Sequence, residues 1–169
     1  MRIYVPATLD ELDAATVTSN GARWDLPARR VHAVTPALEA TLADEDDEGR
    51  EYAAFLAAAD DSLALVAGGG ALPARVVVSL DVPDGAVTAG AHPPAGEATA
   101  PSSVDAGPAP DARVVAVHVD EPEAAEDVRA VLAAADGDDD EALADAVQRV
   151  TDRDLLWYDP TEIGQIPRP

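Results

Sequence analysis

Apolar residues along this chain come in short β-branched runs, and four of those runs end in the same way. Ile3-Tyr4-Val5, Val31-His32-Ala33-Val34, Val114-Val115-Ala116-Val117-His118-Val119 and Leu155-Leu156-Trp157-Tyr158 are each followed within a few residues by proline and by threonine or aspartate. Such runs suit strands. The residues just past each run suit a helix opening: a side-chain oxygen takes an orphan N–H, and proline in the first turn has no N–H to lose. Thr8 with Glu11, Asp120 with Glu123 and Asp159 with Glu162 also have the spacing of a capping box. The pattern predicts repeated strand–Pro-capped-helix units. The run at 113–119 reads as a strand covered on both faces.

Between these junctions a short helix is expected at 8–15, burying Leu9 and Leu12, and another at 36–43. A long helix at 49–67 has the clearest period, with Tyr52, Phe55, Leu56, Ala59, Leu63 and Val66 spaced as one stripe that should cover the sheet. Gly68-Gly69-Gly70 stops it. A strand at 76–80 is followed by the turn Pro83-Asp84-Gly85 and a short edge strand at 86–88. Residues 90–111, rich in Pro, Ala, Gly and Ser, read as a mobile surface loop. Two further helices bury Val128, Val131, Leu132 and Ala135, then Leu143, Ala146, Val147 and Val150. Together these elements predict one α/β (or α+β) domain over 1–169, a single mixed sheet of about five strands with helices packed on it.

Composition narrows the function classes. The 169 residues are 47% hydrophobic with only 4% aromatic, so the core is built on alanine, valine and leucine. Net charge is −22, from 33 acids against 11 basic residues, every one of them arginine. Acidity of this size disfavours nucleic acid and anionic membranes as partners. It is the signature of a GC-rich genome or of a salty cytoplasm. The start of the chain lacks the apolar core of a signal peptide, and no run is long enough to cross a bilayer, so the cytoplasm is the expected location. With no cysteine, disulfides, thiol catalysis, zinc–thiolate sites and iron–sulfur clusters are excluded.

Candidate chemistry is sparse. His32 and His118 each lie beside valine near a strand end, while His92 falls in the presumed loop. If the two strands adjoin, His32 and His118 would face one helix layer with Tyr4 or Tyr158 nearby, and His118 with Asp120 as its orienting carboxylate would offer a general base to a small hydrolase-like enzyme. The simpler expectation is a packed imidazole with its nitrogens satisfied locally. Nucleophile motifs, phosphate loops and metal triads are missing from the sequence, so no cofactor and no metal is expected.

Two acidic runs, Asp44-Glu45-Asp46-Asp47-Glu48 and Asp136-Gly137-Asp138-Asp139-Asp140-Glu141, raise divalent-cation binding as a further reading. The second departs from a calcium loop at Glu141 and Val147, where glycine and a bidentate glutamate belong. It reads better as a helix start. The only basic cluster, Arg23, Trp24, Arg29 and Arg30, is the candidate contact for an anion or a partner's acidic patch. Pairing of those arginines with nearby carboxylates, and packing of Trp24 on the core edge, is the more ordinary expectation. By analogy with open α/β sheets, a cleft would gather Thr8, Thr35, Asp120 and Asp159 at one sheet edge.

The blocks Met1-Arg2-Ile3-Tyr4-Val5-Pro6, His32-Ala33-Val34-Thr35-Pro36-Ala37-Leu38, Tyr52-Ala53-Ala54 and Leu155-Leu156-Trp157-Tyr158 recur in the same order in another group of proteins. In them the chain resembles a family of short, acidic actinobacterial proteins defined as a domain of unknown function. The resemblance implies a bacterial cytoplasmic protein and carries no activity. The expected function is non-enzymatic, exercised through contacts with a partner protein or in a small homo-oligomer.

Overall fold

A computed structural model describes residues 1–89, 99–137 and 139–169. The expected His92 loop position lies outside these residues. Among the described residues nine strands form one sheet: β1 (Arg2–Ala7), β2 (Thr16–Thr18), β3 (Gly21–Leu26), β4 (Arg29–His32), β5 (Val76–Asp81), β6 (Val87–Ala89), β7 (Ser103–Ala106), β8 (Ala109–Asp120) and β9 (Leu155–Tyr158). Their order is β2-β3-β8-β5-β1-β4-β7-β6, with β9 also on β8. Every pairing is antiparallel. The fold is α+β, and the expectation of a mixed, five-stranded sheet is corrected on both counts.

Connection length explains the antiparallel outcome. A parallel neighbour needs a crossover of a dozen or more residues, and two of the four predicted junctions open only a 3₁₀ turn: Glu11–Ala14 after β1 and Pro160–Gln165 after β9. The long crossover, α1 (Pro36–Thr41) and α2 (Asp47–Ala67), does join strands of like direction, but β1 lies between β4 and β5. Helices α3 (Ala125–Ala135) and α4 (Asp140–Thr151) form a hairpin that returns the chain from β8 to its antiparallel neighbour β9.

The long run at 113–119 is the C-terminal part of the central strand. On one edge β8 pairs with β5; along the other, β3 and β9 lie end to end. The sheet must also curl. β3 and β4 are four strand spacings apart in the sheet, about 19 Å if flat. Only Pro27 and Ala28 separate Leu26 from Arg29, and three Cα steps reach about 11 Å. Curling encloses the concave face. There Ile3, Val5, Leu9, Leu12, Trp24, Leu26, Val31, Val76, Val78, Leu80 and Ile163 form the main core. The convex face carries the helices.

Prolines 36, 122 and 160 all stand at the first position of a helix or 3₁₀ turn. Two of the predicted caps are made as expected: Thr35 Oγ1 accepts from Leu38 N at 3.1 Å, and Asp159 and Glu162 form a reciprocal capping box. Thr8 does not cap; its N–H instead donates to Glu11 at 3.0 Å. The acidic runs behave as helix starts. Asp46 caps α2 by accepting from Gly49 N, and Asp139 caps α4. After α2, Gly69 and Gly70 take φ of +100° and +86°, where a side chain would be strained.

The stretch read as a loop to residue 111 is instead partly sheet: β7 and the first residues of β8 fall within it. Val104 and Ala106 bury one face of β7, and short alternation of this kind escapes detection by composition. Residues 90–98 of that stretch lie outside the described ones.

Candidate binding groove

Helix α2 lies across the convex face of β5, β1 and β4. Its contact is made by small residues: Ala54, Ala58 and Ser62 are fully buried, and Ala59 nearly so. Ser62 Oγ donates to Ala7 O at 2.8 Å and accepts from Val76 N at 2.7 Å, stitching the helix to two strands. Toward its C-terminus Leu63 and Val66 pack against Val128, Val131, Ala146 and Val150 of α3 and α4. The bulky residues of the first half are left over. Tyr52 is 55% exposed and Leu56 38%, so the stripe expected to cover the sheet is only partly in the core.

These side chains line a groove of about 730 Å³ between α2 and the strands β1, β5, β8 and β9. Its floor is set by the strand register. Trp157, His118 and Val77 lie side by side across β9, β8 and β5, and Ala116, Ser79, Tyr4 and His32 form the next row across β8, β5, β1 and β4. Phe55 stands over both rows, 4.8 Å from the His118 ring and 6.4 Å from Tyr4, each edge to face, with Tyr52 stacked on it at 6.0 Å. Opposite, Trp157 is 59% exposed. The volume, and a lining that sets large apolar side chains among convergent polar and charged ones, are those of a binding site.

Electrostatics within the groove are uneven. Loss of hydration, then the Glu51 charge and its hydrogen bond, push the Tyr4 phenol well above its ordinary value, so it stays protonated and donates to Glu51 Oε2 at 3.0 Å. Burial lowers the His118 imidazole below its ordinary value of 6.5, and its buried Nδ1 has no hydrogen-bond partner among the described residues. Burial raises the Asp60 carboxyl, against the lowering influence of Arg75.

The predicted site residues do not assemble as the hydrolase reading requires. His32 is in the next row of the same face, but β5 and β1 separate β4 from β8, about 14 Å across the strands. Tyr4 is directly opposite His32 and shares Phe55 with His118. Asp120 neither orients His118 nor caps the following helix. Its carboxylate holds the Arg75 guanidinium at 2.8 and 3.1 Å and accepts the Arg75 N–H at 2.7 Å, and both side chains are almost completely buried. His118 and Asp120 share no hydrogen bond among the described residues. The four junctions also split between the two ends of the sheet, because β4 and β9 run opposite to β1 and β8. Thr8 and Asp120 are at one end, Thr35 and Asp159 at the other.

Sequence reasoning missed a second arrangement. His32 Nδ1 is 2.9 Å from Ser102 Oγ and Nε2 is 3.1 Å from Asp61 Oδ2. The residue types are those of a hydrolytic triad, but Ser102 is 1% exposed, whereas a nucleophile must meet substrate. The trio fastens β4 to α2 and to the segment before β7. Asp61 and Ser102 had no motif around them to give the contact away.

The basic cluster is dispersed. Trp24 is buried in the main core at 4% exposure, Arg29 pairs with Glu11 at 2.6 Å, Arg23 donates to the Asp111 carbonyl, and Arg30 is opposite Asp105. Alternation along β3 and β4 separates these side chains. Among the described residues no three histidine or acidic side chains converge to hold a metal ion, and no helix is long and apolar enough to cross a membrane.

A family model matches residues 1–166, almost the entire chain. The chain belongs to DUF6912, a family of unknown function. No curated protein and no solved structure matches it.

Proposed function

We propose that this DUF6912 member is a non-enzymatic cytoplasmic protein that acts by binding a partner protein in the α2 groove. One observation carries the reading: Tyr52, Leu56 and Trp157, three large side chains that burial would stabilise, line a single groove in which all three are exposed. Tyrosine and tryptophan dominate the energetics of protein interfaces, where they anchor in pockets. Burying a side chain of this size contributes about 2 kcal/mol, and a partner recovers what the fold leaves unburied. Against the hydrolase alternative stands the Arg75–Asp120 pair, which takes from His118 the carboxylate that reading assigns to it.

Tagged protein, Trp157→Ala and Tyr52→Ala are to be compared in affinity capture from the native cytoplasm, with each variant's melting curve recorded. A protein retained by the parent and lost by both folded variants is the expected result. Equal recovery by all three would remove the groove from the interaction. A second copy of this chain as the species lost would identify self-association.

A further inference from the structure

Resting on that reading, we propose that the groove receives cationic side chains, arginine or lysine, carried on an extended basic segment of the partner. The first support is the pairing of charges. Three arginines line the groove, and each is held by acids outside it: Arg2 by Asp81 at 2.8 Å, Arg75 by Asp120, and Arg153 by Asp127 and Glu121, both at 2.6 Å. The groove's own acids have no salt bridge of their own among the described residues; Arg75 acts on Asp60, and Arg2 on Glu51, only through longer-range charge. Glu48, Asp60 and Asp154 make no ion pair among the described residues, and Glu51 accepts only the neutral Tyr4 hydroxyl. With the native arginines bonded to acids outside the groove, the lining carboxylates are only partly compensated and present negative charge.

The second support is the aromatic surface beside these acids. Exposed faces of tryptophan and tyrosine attract a guanidinium or ammonium through the ring quadrupole, and Trp157 and Tyr52 stand on opposite walls. Over longer range a net charge of −22 draws basic segments toward the molecule.

Shape favours a peptide over a free amine. Along α2 the lining runs from Glu48 to Asp60, a length of about 18 Å at the helical rise. That matches five or six extended residues, at about 3.3 Å each.

The probe is a synthetic hexapeptide with two arginines among glycine and serine, titrated by calorimetry and by the fluorescence of exposed Trp157. Its control is the same peptide with glutamine in place of arginine. Glu48→Gln combined with Asp154→Asn, and separately Trp157→Ala, should each weaken binding about tenfold, the size of one well-formed cation–π contact. Asp10→Asn combined with Glu39→Gln removes the same charge from exposed positions outside the groove and should leave binding unchanged.

Equal weakening by the outside pair would reduce the effect to net charge and overturn the proposal. Equal binding of the glutamine peptide would overturn it while leaving the groove as a site for a neutral segment. A captured partner that is lost with Trp157→Ala but kept with Glu48→Gln/Asp154→Asn would likewise defeat the cationic assignment and leave the binding function standing.

Discussion

Asp120 and Asp159 stand in almost the same sequence setting, each just past an apolar run and three residues before a glutamate, yet they do different physical work. Asp159 caps its 3₁₀ turn, and Thr161's hydroxyl and N–H hold its carboxyl below the usual range. Asp120 is the buried counter-ion of Arg75. Asp120→Ala should cost about 3–5 kcal/mol, because it leaves an uncompensated charge in the interior, and Asp159→Ala a small fraction of that. Denaturant unfolding measures both. Arg75→Met with Asp120→Asn should recover most of the loss, since asparagine still accepts the backbone N–H at position 75. Comparable losses for the two single variants would show that Arg75 escapes to water. The sequence could not distinguish these aspartates, because the arginine that separates their roles is 45 positions away in the chain.

His118 belongs to the same scale. Its folded-state pKa lies below the ordinary 6.5, so as pH falls through that value the unfolded chain takes up a proton the folded chain resists. Stability is therefore lost progressively from about pH 6.5 downward, until the folded-state pKa is passed. His118→Gln lacks this component. Melting temperatures of the two proteins should move in the variant's favour between about pH 8 and about pH 5. A constant difference across that window would mean the imidazole is hydrated.

At the scale of the element, α2 shows what periodicity can and cannot reveal. Its existence and limits are legible to within about two residues, as is its glycine stop. Which face is buried is not. The pattern weights side chains by size and so selects Tyr52, Phe55 and Leu56, whereas close approach of helix to sheet selects Ala54 and Ala58. Small residues let the backbones approach, and the bulky ones turn toward the groove. Ala58→Leu, apolar for apolar, should cost about 1–3 kcal/mol by overpacking. Leu56→Ala should change stability by less than about 1 kcal/mol, since Leu56 is already 38% exposed and packs on the groove wall, outside the buried core. If chemical denaturation ranks them the other way, the helix covers the sheet with its large residues after all. The same reasoning hides the groove's aromatic and aliphatic wall in the sequence: patterning assigns Tyr52, Phe55 and Leu56 to the core.

For the whole molecule, local signals locate elements well and their arrangement poorly. Proline marks helix starts at residues 36, 122 and 160, but the direction of return depends on connection length and sheet curl, which no single junction contains. Net charge is a property of the same scale, and it predicts how the assembled fold responds to salt. Each arginine that reaches a carboxylate removes local repulsion, as Arg153 does between Asp127 and Glu121. With 33 acids against 11 arginines, most carboxylates have no such neighbour, and compaction brings them together. Screening falls within about 10 Å at 0.1 M salt, so added sodium chloride should relieve that repulsion in the folded state more than it weakens the exposed ion pairs. Melting temperature should rise by several degrees from about 0.01 to about 0.5 M, since about 1 kcal/mol moves a chain of this length by about 2–4 °C. Over the same range affinity for a basic hexapeptide should fall. A melting temperature that drops with salt would mean that the surface ion pairs, rather than the excess of acid, dominate the electrostatics of the folded chain.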